Sequence, residues 1–425
     1  MVAKRLFSVC ATRHVSCQKR WDTRADRVVV WIYGGGYATG DKSQTVPAGL
    51  IHRSNDDMIF VTMNYRMGAF GFMSGPTFQA SGGTANAGLL DQRMAIEWVK
   101  QYIHLFGGDP GRVTIMGESA GGGSVMHQIT AYGGLKGSVP FQQAIAQSPG
   151  FTPITSNLQQ ETNFQTFLAL ANVSTLEEAR QLPSETLIIA NIKEVGNSSY
   201  GQYTFGPVVD GSFTPALPGQ LLARGQFDKS VKVMVGHNAD EGLLFTSPFV
   251  NSDATYAASL SSVLPDASAS IINYIASVLY PPDFSGAYGY TDVYQRAAAT
   301  IAEIVFTCNT FYLDLALSNQ TYAYQFSIPP ALHGGDVPYS FYNDGGYVPA
   351  NLTALSQGLL SVQVALALQD WIVTFVRDGV PSTPDVQGLW PPAHLFLEYE
   401  GNWMVLLTCC DRGAEVHHVR AQGPD

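Results

Sequence analysis

The sequence predicts an α/β fold with a mostly parallel central sheet, and three features of the chain support this prediction. Short runs of β-branched and other apolar residues recur along the chain and are typical of buried strands. A helical pattern separates two of these runs at 87–105, where apolar positions among polar ones indicate an amphipathic helix. With 425 residues, 46% of them hydrophobic, the chain is long enough to bury a large core. Strands that alternate with helices favour a parallel sheet with helices on both faces.

The predicted elements follow one another along the chain. The first four predicted strands are 28–33, 58–64, 113–115 and 144–147. The apolar positions of the predicted helix are Leu90, Met94, Ile96 and Val99. Two later strand-like runs, 231–235 and 322–328, each open into a polar loop. Residues 150–230 and 245–320 predict mostly helical segments above the sheet. We therefore expect one domain with insertions rather than two domains.

The composition disfavours several classes of function. The net charge is −11, so we expect no nucleic-acid partner. No run of about 18 apolar residues predicts a transmembrane segment. The sequence has neither a C-x-x-C spacing nor a phosphate-binding loop, and we expect no metal and no cofactor. The five cysteines, an odd number, leave the redox compartment open.

The pentapeptide G-E-S-A-G at 117–121 predicts a nucleophilic serine, Ser119. A β-branched segment precedes it, and small, helix-compatible residues follow it as far as residue 131. A strand, a sharp turn and a helix around G-x-S-x-G would expose the serine hydroxyl. Gly117 and Gly121 suit such a turn, because side chains there would collide with the backbone of the strand or the helix. The alternative is a structural turn without chemistry.

A serine hydroxyl needs a base, and His333 is the candidate. In proteins with this strand, turn and helix, the acid and then the histidine follow the serine along the chain. His333 lies in a glycine-containing loop directly after the predicted strand 322–328. His127 lies on the predicted helix after the turn at Ser119 and is expected to face away from the site. His237 lies so soon after Ser119 that little chain is left between them for a separate acid. An ordinary loop histidine is the alternative for His333.

The acid is expected in the loop after the predicted strand 231–235, where Asp240 and Glu241 are adjacent. Either carboxylate suits the role of holding the imidazole in one tautomer. The residue types alone therefore leave these two candidates open. A solvated acidic loop without function is the third interpretation.

A glycine run after the first predicted strand predicts an oxyanion hole, in which backbone N–H groups bind a developing negative charge. Gly34, Gly35 and Gly36 follow 28–33, and glycine permits the close approach that such binding needs. The amide of Ala120, directly after the candidate nucleophile, is the expected second donor. A flexible turn at the end of the strand is the alternative.

Together these segments resemble the type-B carboxylesterase, cholinesterase and fungal lipase family of the α/β-hydrolase superfamily. The resemblance covers about residues 27–392 and extends well beyond the pentapeptide at 117–121. Its blocks are F-G-G at 106–108, W-I-Y-G-G-G-Y at 31–37, N-Y-R at 64–66, G-A-F-G-F at 68–72, N-x-G-L-x-D-Q at 86–92, Q-D-W at 369–371 and W-P at 390–391. It implies an α/β-hydrolase fold with helical insertions over the active site.

The resemblance implies a serine carboxylic-ester hydrolase that acts on a small-molecule or lipid ester. The implied residues are Ser119, Glu241 and His333 as the catalytic triad, Gly35, Gly36 and Ala120 as the oxyanion hole, and Glu118 and Ser148 as supporting residues. The alternatives are a non-catalytic cholinesterase-like binding protein and a truncated, inactive family member. The acyl and alcohol specificity and the oligomeric state stay open. Tyr37, Phe151 and Phe205 either line a pocket or are ordinary packing residues.

The two ends differ from the middle of the chain, and we expect the family domain to span residues 28–392. Residues 1–27 hold seven basic and two acidic residues, and 393–425 fit no family pattern. Family members begin with a signal peptide and a disulfide-closed loop, so we expect an N-terminal truncation here. A transit peptide is the alternative for 1–27. The resemblance implies secretion, which the four N-x-S/T sequons favour, although we find no signal peptide in the sequence. The sequons begin at Asn172, Asn197, Asn319 and Asn351.

Overall fold

The computed structural model describes residues 7–10, 25–154, 156–318, 320–343, 362–383, 397–399 and 402–405. The sequence features noted at Asn319, Asn351 and 390–391 lie outside these residues, as does most of 393–425. Among the helices of the described segments, none is long and apolar enough to cross a membrane.

A nine-stranded sheet forms the centre of the described part of the chain. Its strands are β1 Phe7–Cys10, β2 Asp26–Ile32, β3 Met58–Met63, β4 Gly108–Glu118, β5 Gln143–Gln147, β6 Lys232–Asn238, β7 Tyr322–Ser327, β8 Leu397–Tyr399 and β9 Asn402–Val405. They lie in the order β1-β3-β2-β4-β5-β6-β7-β9-β8. The six strands from β3 across to β7 are parallel, whereas β1, β9 and β8 pair antiparallel at the edges. The predicted α/β fold with a mostly parallel sheet is confirmed.

The central strands are apolar on both faces. Every residue of β3 and β5 is buried, as are the last six residues of β2. Such continuous burial is typical of parallel strands that helices cover on both sides. Strand β4 begins at Gly108 rather than at the predicted Val113, because Pro110 and two glycines hide its start in the sequence.

Helices surround the sheet and also form two insertions between its strands. The helices are α1 Ala48–Arg53, α2 Ala69–Phe72, α3 Pro76–Ala80, α4 Ala87–Tyr102, α5 Ala120–Ile129, α6 Asn157–Leu170, α7 Leu176–Gln181, α8 Ser184–Gly196, α9 Pro218–Ala223, α10 Asp253–Val263, α11 Ala269–Tyr274, α12 Val293–Ala302, α13 Cys308–Ala316, α14 Val337–Ser340 and α15 Val362–Asp378. Helices α4, α5, α13 and α15 pack against strands of the sheet. The first insertion, α6 to α9, follows β5, and the second, α10 to α13, follows β6. Both were predicted as mostly helical segments.

Helix α4 departs from its prediction in two respects. It ends at Tyr102, and the chain then tightens into a 3₁₀ turn at Ile103–Phe106. Ile96 and Val99 are fully buried, but Met94, predicted as an apolar position of the same face, is 64% exposed. Residues two positions apart lie about 200° apart around an α-helix, which places Met94 opposite Ile96. The prediction for Met94 was therefore wrong.

Replacing Gly121 by alanine is expected to destabilise the fold. A Cβ atom at this position would lie 1.9 Å from the Ile32 carbonyl oxygen, so β2 or α5 would have to move. Overpacking of this kind typically lowers the free energy of unfolding by about 1–3 kcal/mol. Urea-induced unfolding, followed by circular dichroism, measures the loss.

Gly196→Ala is the matched control for Gly121→Ala. Gly196 also lies in a helix, α8, but no atom lies within 4 Å of a Cβ added there. Alanine at this position is expected to leave the free energy of unfolding unchanged or to raise it by about 0.5–1 kcal/mol. Equal stabilities of the two variants would contradict the steric argument.

Candidate active site

Ser119 lies in a sharp turn between β4 and α5. Its φ is +59°, a conformation that residues with a side chain rarely adopt. The two flanking glycines leave no room for a side chain: a Cβ on Gly117 would lie 2.5 Å from the Gly121 carbonyl oxygen, and Gly121 itself abuts Ile32. The Ser119 N–H donates to the Gln147 carbonyl oxygen at 3.0 Å. This packing holds the serine at the carboxyl edge of the sheet.

Three loops at this edge bring Ser119, His333 and Glu241 into one hydrogen-bonded chain. His333 Nε2 lies 2.7 Å from Ser119 Oγ, and His333 Nδ1 lies 2.5 Å from Glu241 Oε2. Glu241 is fully buried, whereas Asp240, the other acid considered, is exposed and donates its backbone N–H to Ala331. The structure therefore brings Glu241, and not Asp240, to the imidazole. Such a chain allows the imidazole to accept the hydroxyl proton while the carboxylate stabilises the resulting charge.

Donors from two strand ends hold the Glu241 carboxylate. Its Oε1 accepts hydrogen bonds from Ser148 Oγ at 2.6 Å and from the Asn238 N–H at 2.5 Å. Burial raises the pKa of Glu241, but the charge of His333 and these hydrogen bonds outweigh burial, and the pKa is lowered overall. Ser148 thus contacts the carboxylate that it was predicted to support. Asn238 was not predicted as a site residue.

A second buried carboxyl group, Asp336, lies beside the first and was not predicted as a site residue. It accepts hydrogen bonds from Tyr324 Oη at 2.5 Å and from Gln147 Nε2 at 3.1 Å. Asn238 Nδ2 lies 3.3 Å from an oxygen of each carboxyl group and so joins the two. Burial raises the pKa of Asp336. Its only signal in the sequence was its position three residues after His333.

Glu118, the predicted supporting residue beside the serine, faces the same imidazole. Its Oε1 is buried and lies 3.4 Å from His333 Nε2. Burial raises the pKa of Glu118 to about 8. Burial alone would lower the pKa of His333, but the charges of Glu241 and Glu118 outweigh it and raise this pKa overall. The protonated imidazole is therefore stabilised by a carboxyl group near each ring nitrogen.

Two phenylalanines, Phe306 and Phe245, flank the His333 ring and were not predicted. Their ring centroids lie 4.3 Å and 5.0 Å from that of the imidazole. Phe306 comes from a π-helical turn of the second insertion, and Phe245 ends the 3₁₀ turn that begins at Glu241. Packing on the ring restricts its rotation and excludes water from its faces. Both phenylalanines lie on different elements from His333 and are distant from it in the sequence. No local sequence pattern therefore predicted these contacts.

The glycine loop after β2 forms a tight turn beside Ser119. The Gly35 carbonyl oxygen accepts hydrogen bonds from the N–H groups of Ala38 and Thr39. Gly36 has a φ of +61°, and a Cβ on it would lie 2.5 Å from the Tyr203 ring, so glycine is required there. Gly36 therefore lies where only a bare backbone fits.

One cavity of about 270 Å³ opens beside the site. Gly36, Ser119 and Ala120 line it together, whereas Gly35 is not one of its lining residues, and a Cβ on Gly35 would lie 2.1 Å from the Thr39 carbonyl oxygen. Its aromatic lining residues are Tyr37, Phe151, Tyr203, Phe205, Phe245 and Phe306. Its uncharged polar side chains are Thr152, Gln159, Asn163, Ser198, Ser199, Gln202, Thr204 and Ser262. Tyr37, Phe151 and Phe205 are thus both buried packing residues and pocket residues, the two interpretations that the sequence left open.

His127, one of the other histidines considered, lies in different surroundings from His333. The His127 ring centroid lies 5.0 Å from that of Phe151, and its Nδ1 lies 3.5 Å from Thr214 Oγ1. His127 thus contacts Thr214 and also Phe151, which lines the candidate active-site cavity. Its orientation away from the site stays a prediction. Across the segments that the structure describes, no group of three or more His, Cys, Asp or Glu residues has the geometry of a metal site.

Comparisons with known proteins agree on one family. The protein-family model described as "Carboxylesterase family" matches residues 15–407 of the sequence. Carboxylesterase patB of Penicillium expansum is 42% identical over 360 residues, which are 84% of this chain and 62% of that protein. A secreted lipase of Arthroderma benhamiae is 34% identical over 378 residues, 86% of this chain and 69% of that protein. The chain therefore spans less than two thirds of the length of patB.

A solved structure supports the same conclusion about the fold. The crystal structure of Aspergillus niger EstA superposes with a TM-score of 0.73 and 27% sequence identity. The match covers 90% of this chain and 74% of EstA. The predicted α/β-hydrolase fold is thereby confirmed.

Glu118→Gln is expected to lower the pKa of His333, because it removes one of the charges that raise it. An NMR titration of the protein with ¹³C-labelled histidine measures this pKa, and the spectrum of His333→Ala assigns the resonance. Asp240→Asn is the control, since it removes an exposed carboxylate next to Glu241 and should leave the His333 pKa nearly unchanged. An unchanged or higher pKa in Glu118→Gln would refute the assigned charge interaction.

Proposed function

Because the chain belongs to the carboxylesterase family, we propose that it hydrolyses carboxylic esters through an acyl-enzyme formed on Ser119. One observation carries the proposal: the continuous hydrogen-bonded chain from Ser119 Oγ through His333 to the buried Glu241. This order of hydroxyl, imidazole and carboxylate is the one that activates a serine. Ser119 also lines a cavity in which an ester can reach it.

In the proposed acylation step, Ser119 Oγ attacks the ester carbonyl carbon while His333 Nε2 takes the hydroxyl proton. Glu241 keeps the other imidazole proton on Nδ1 and stabilises the imidazolium. The bond from the carbonyl carbon to the alcohol oxygen then breaks, and His333 gives its proton to the leaving alkoxide. Ser119 is left as an ester of the acyl group.

Deacylation repeats the sequence with water as the nucleophile. His333 takes a proton from the water as its oxygen attacks the acyl carbon, and it returns that proton to Ser119 Oγ as the bond to the serine breaks. The carboxylic acid leaves and the serine is restored. Every proton transfer in this scheme uses a side chain of the described site.

Backbone N–H groups of Gly35, Gly36 and Ala120 are the proposed donors to the oxyanion. Two observations support this assignment: Gly36 and Ala120 line the cavity with Ser119, and Ala120 is the first residue of α5. The N-terminus of a helix presents free N–H groups and a partial positive charge. A donor of this kind typically contributes roughly 3 kcal/mol to lowering the barrier.

The proposed substrate is a small-molecule or lipid ester. The aromatic and uncharged polar lining of the cavity supports a neutral group next to the scissile bond, because burying a charge there without a partner would be costly. We also propose an extracellular location, since a similar protein is a secreted lipase. The domain limits 28–392 stay a prediction; the family match extends past both of them.

Ser119→Ala is expected to abolish ester hydrolysis and labelling by a fluorophosphonate probe while leaving the fold intact. Alanine removes the only atom that the proposed acyl group bonds to. Peptide mass mapping of the labelled chain should place the probe on Ser119. Hydrolysis of 4-nitrophenyl esters by Ser119→Ala at the original rate would contradict the proposal. A folded chain that neither labels nor hydrolyses esters would favour a non-catalytic binding protein.

Glu241→Gln is expected to lower kcat by about three to four orders of magnitude, less than Ser119→Ala does. The amide no longer stabilises the imidazolium and favours the wrong imidazole tautomer. Steady-state kinetics with one neutral ester measure the change. Asp240→Asn, which removes the adjacent exposed carboxylate, should keep kcat close to its original value. A larger loss in Asp240→Asn than in Glu241→Gln would show that the acid was assigned to the wrong residue.

A further inference from the structure

A second cavity, of about 390 Å³, lies outside the candidate active site, and none of the described residues lines both cavities. Its walls come from α2, α3 and α4 and from α6, α7 and α8 of the first insertion. The larger apolar residues that line it are Phe70, Met73, Phe78, Phe164, Phe167, Leu176 and Leu187. Cavities of about 300–1,000 Å³ with mostly apolar walls are typical of sites for small molecules.

Two arginines also line this cavity, and no carboxylate is among its lining residues in the described chain. Arg66 is already paired, because its guanidinium donates to both carboxylate oxygens of Asp91 at 2.8 Å. Arg180 is held more loosely. Its Nη2 donates to the Gly82 carbonyl oxygen at 3.1 Å, and its Nη1 lies 3.7 Å from a carboxylate oxygen of Glu177.

The charge of Arg180 is therefore only weakly paired. The Gly82 carbonyl is neutral, and the Glu177 carboxylate is 73% exposed, so that water screens its attraction. The Arg180 side chain is itself 48% exposed and can reorient towards a ligand. A guanidinium at the edge of an apolar cavity offers two parallel N–H donors, the geometry that a carboxylate accepts.

We propose that this second cavity binds an apolar monocarboxylic acid as its anion, with the carboxylate on Arg180 and the apolar body among the phenylalanines. The apolar walls favour a ligand that leaves water with its hydrocarbon part. A neutral lipid would gain nothing from the charge of Arg180, and a polyanion would place further charge against the apolar walls. Binding in this cavity does not depend on the proposed ester hydrolysis, although that reaction releases carboxylic acids.

Helix α6 contributes to both cavities. Gln159 and Asn163 line the candidate active-site cavity, and Phe164 and Phe167 line the second one. The two sites are therefore neighbours along one helix. A fatty-acid anion in the second cavity would contact this helix without touching Ser119, so binding is measurable apart from catalysis.

Calorimetric titration of decanoate into the full chain tests the proposal. We expect saturable binding that Arg180→Gln weakens by about tenfold or more, because a charge-assisted pair is lost. Arg180 is half exposed, so this variant is expected to fold. Arg224→Gln removes an exposed arginine that follows α9, outside the lining of this cavity, and should bind decanoate as tightly as the original chain.

Two further measurements locate the ligand and identify its class. Leu187→Trp fills the cavity and should remove decanoate binding, with cooperative thermal unfolding as the check that the variant folds. Decanol, which has the same chain without the charge, should bind at least about tenfold more weakly. The proposal is overturned by decanoate binding that both variants leave unchanged, by equal binding of decanol, or by no binding of decanoate at about 1 mM.

Discussion

The buried contact between Glu241 and His333 is the interaction on which the rest of the site depends. A fully buried carboxylate costs several kcal/mol in lost hydration, which a single partner rarely offsets. Here Ser148 and Asn238 supply the missing donors, and Asn238 also reaches Asp336. The ends of the neighbouring strands β5, β6 and β7 must therefore be in register before the imidazole is held in place. Because that register belongs to the parallel sheet, the geometry of the site follows from the packing of the core.

The sheet and the insertions supply different parts of this site. Strand ends carry the hydroxyl, the imidazole and the carboxylate, whereas most of the cavity wall comes from the two helical insertions. Phe306 is the point where the two meet, since it belongs to the second insertion and packs on the imidazole. Changes in the insertions can therefore alter which molecule fits without moving the hydrogen-bonded chain. Related proteins with different substrates are the expected result of such a division.

The parts that the sequence predicted are those with a local pattern. The turn at Ser119, the loop at His333 and the apolar central strands each occupy a few consecutive residues with a physical requirement of their own. Glu241 and Asp240 were indistinguishable by residue type, because burial and not composition separates them. Asp336, the two flanking phenylalanines and the second cavity depend on contacts between distant segments, which one sequence does not reveal. Met94 was placed wrongly because it was grouped with Ile96, which lies about 200° away around the helix.

The backbone at Ser119 has a consequence for how this chain can evolve. A residue with a side chain at a φ of +59° costs free energy that glycine would not. Selection for stability alone would therefore favour glycine at this position. A lineage that ceased to need the hydroxyl would gain stability by losing it. Among descendants of such a fold, glycine at this one position would be a marker of relaxed constraint.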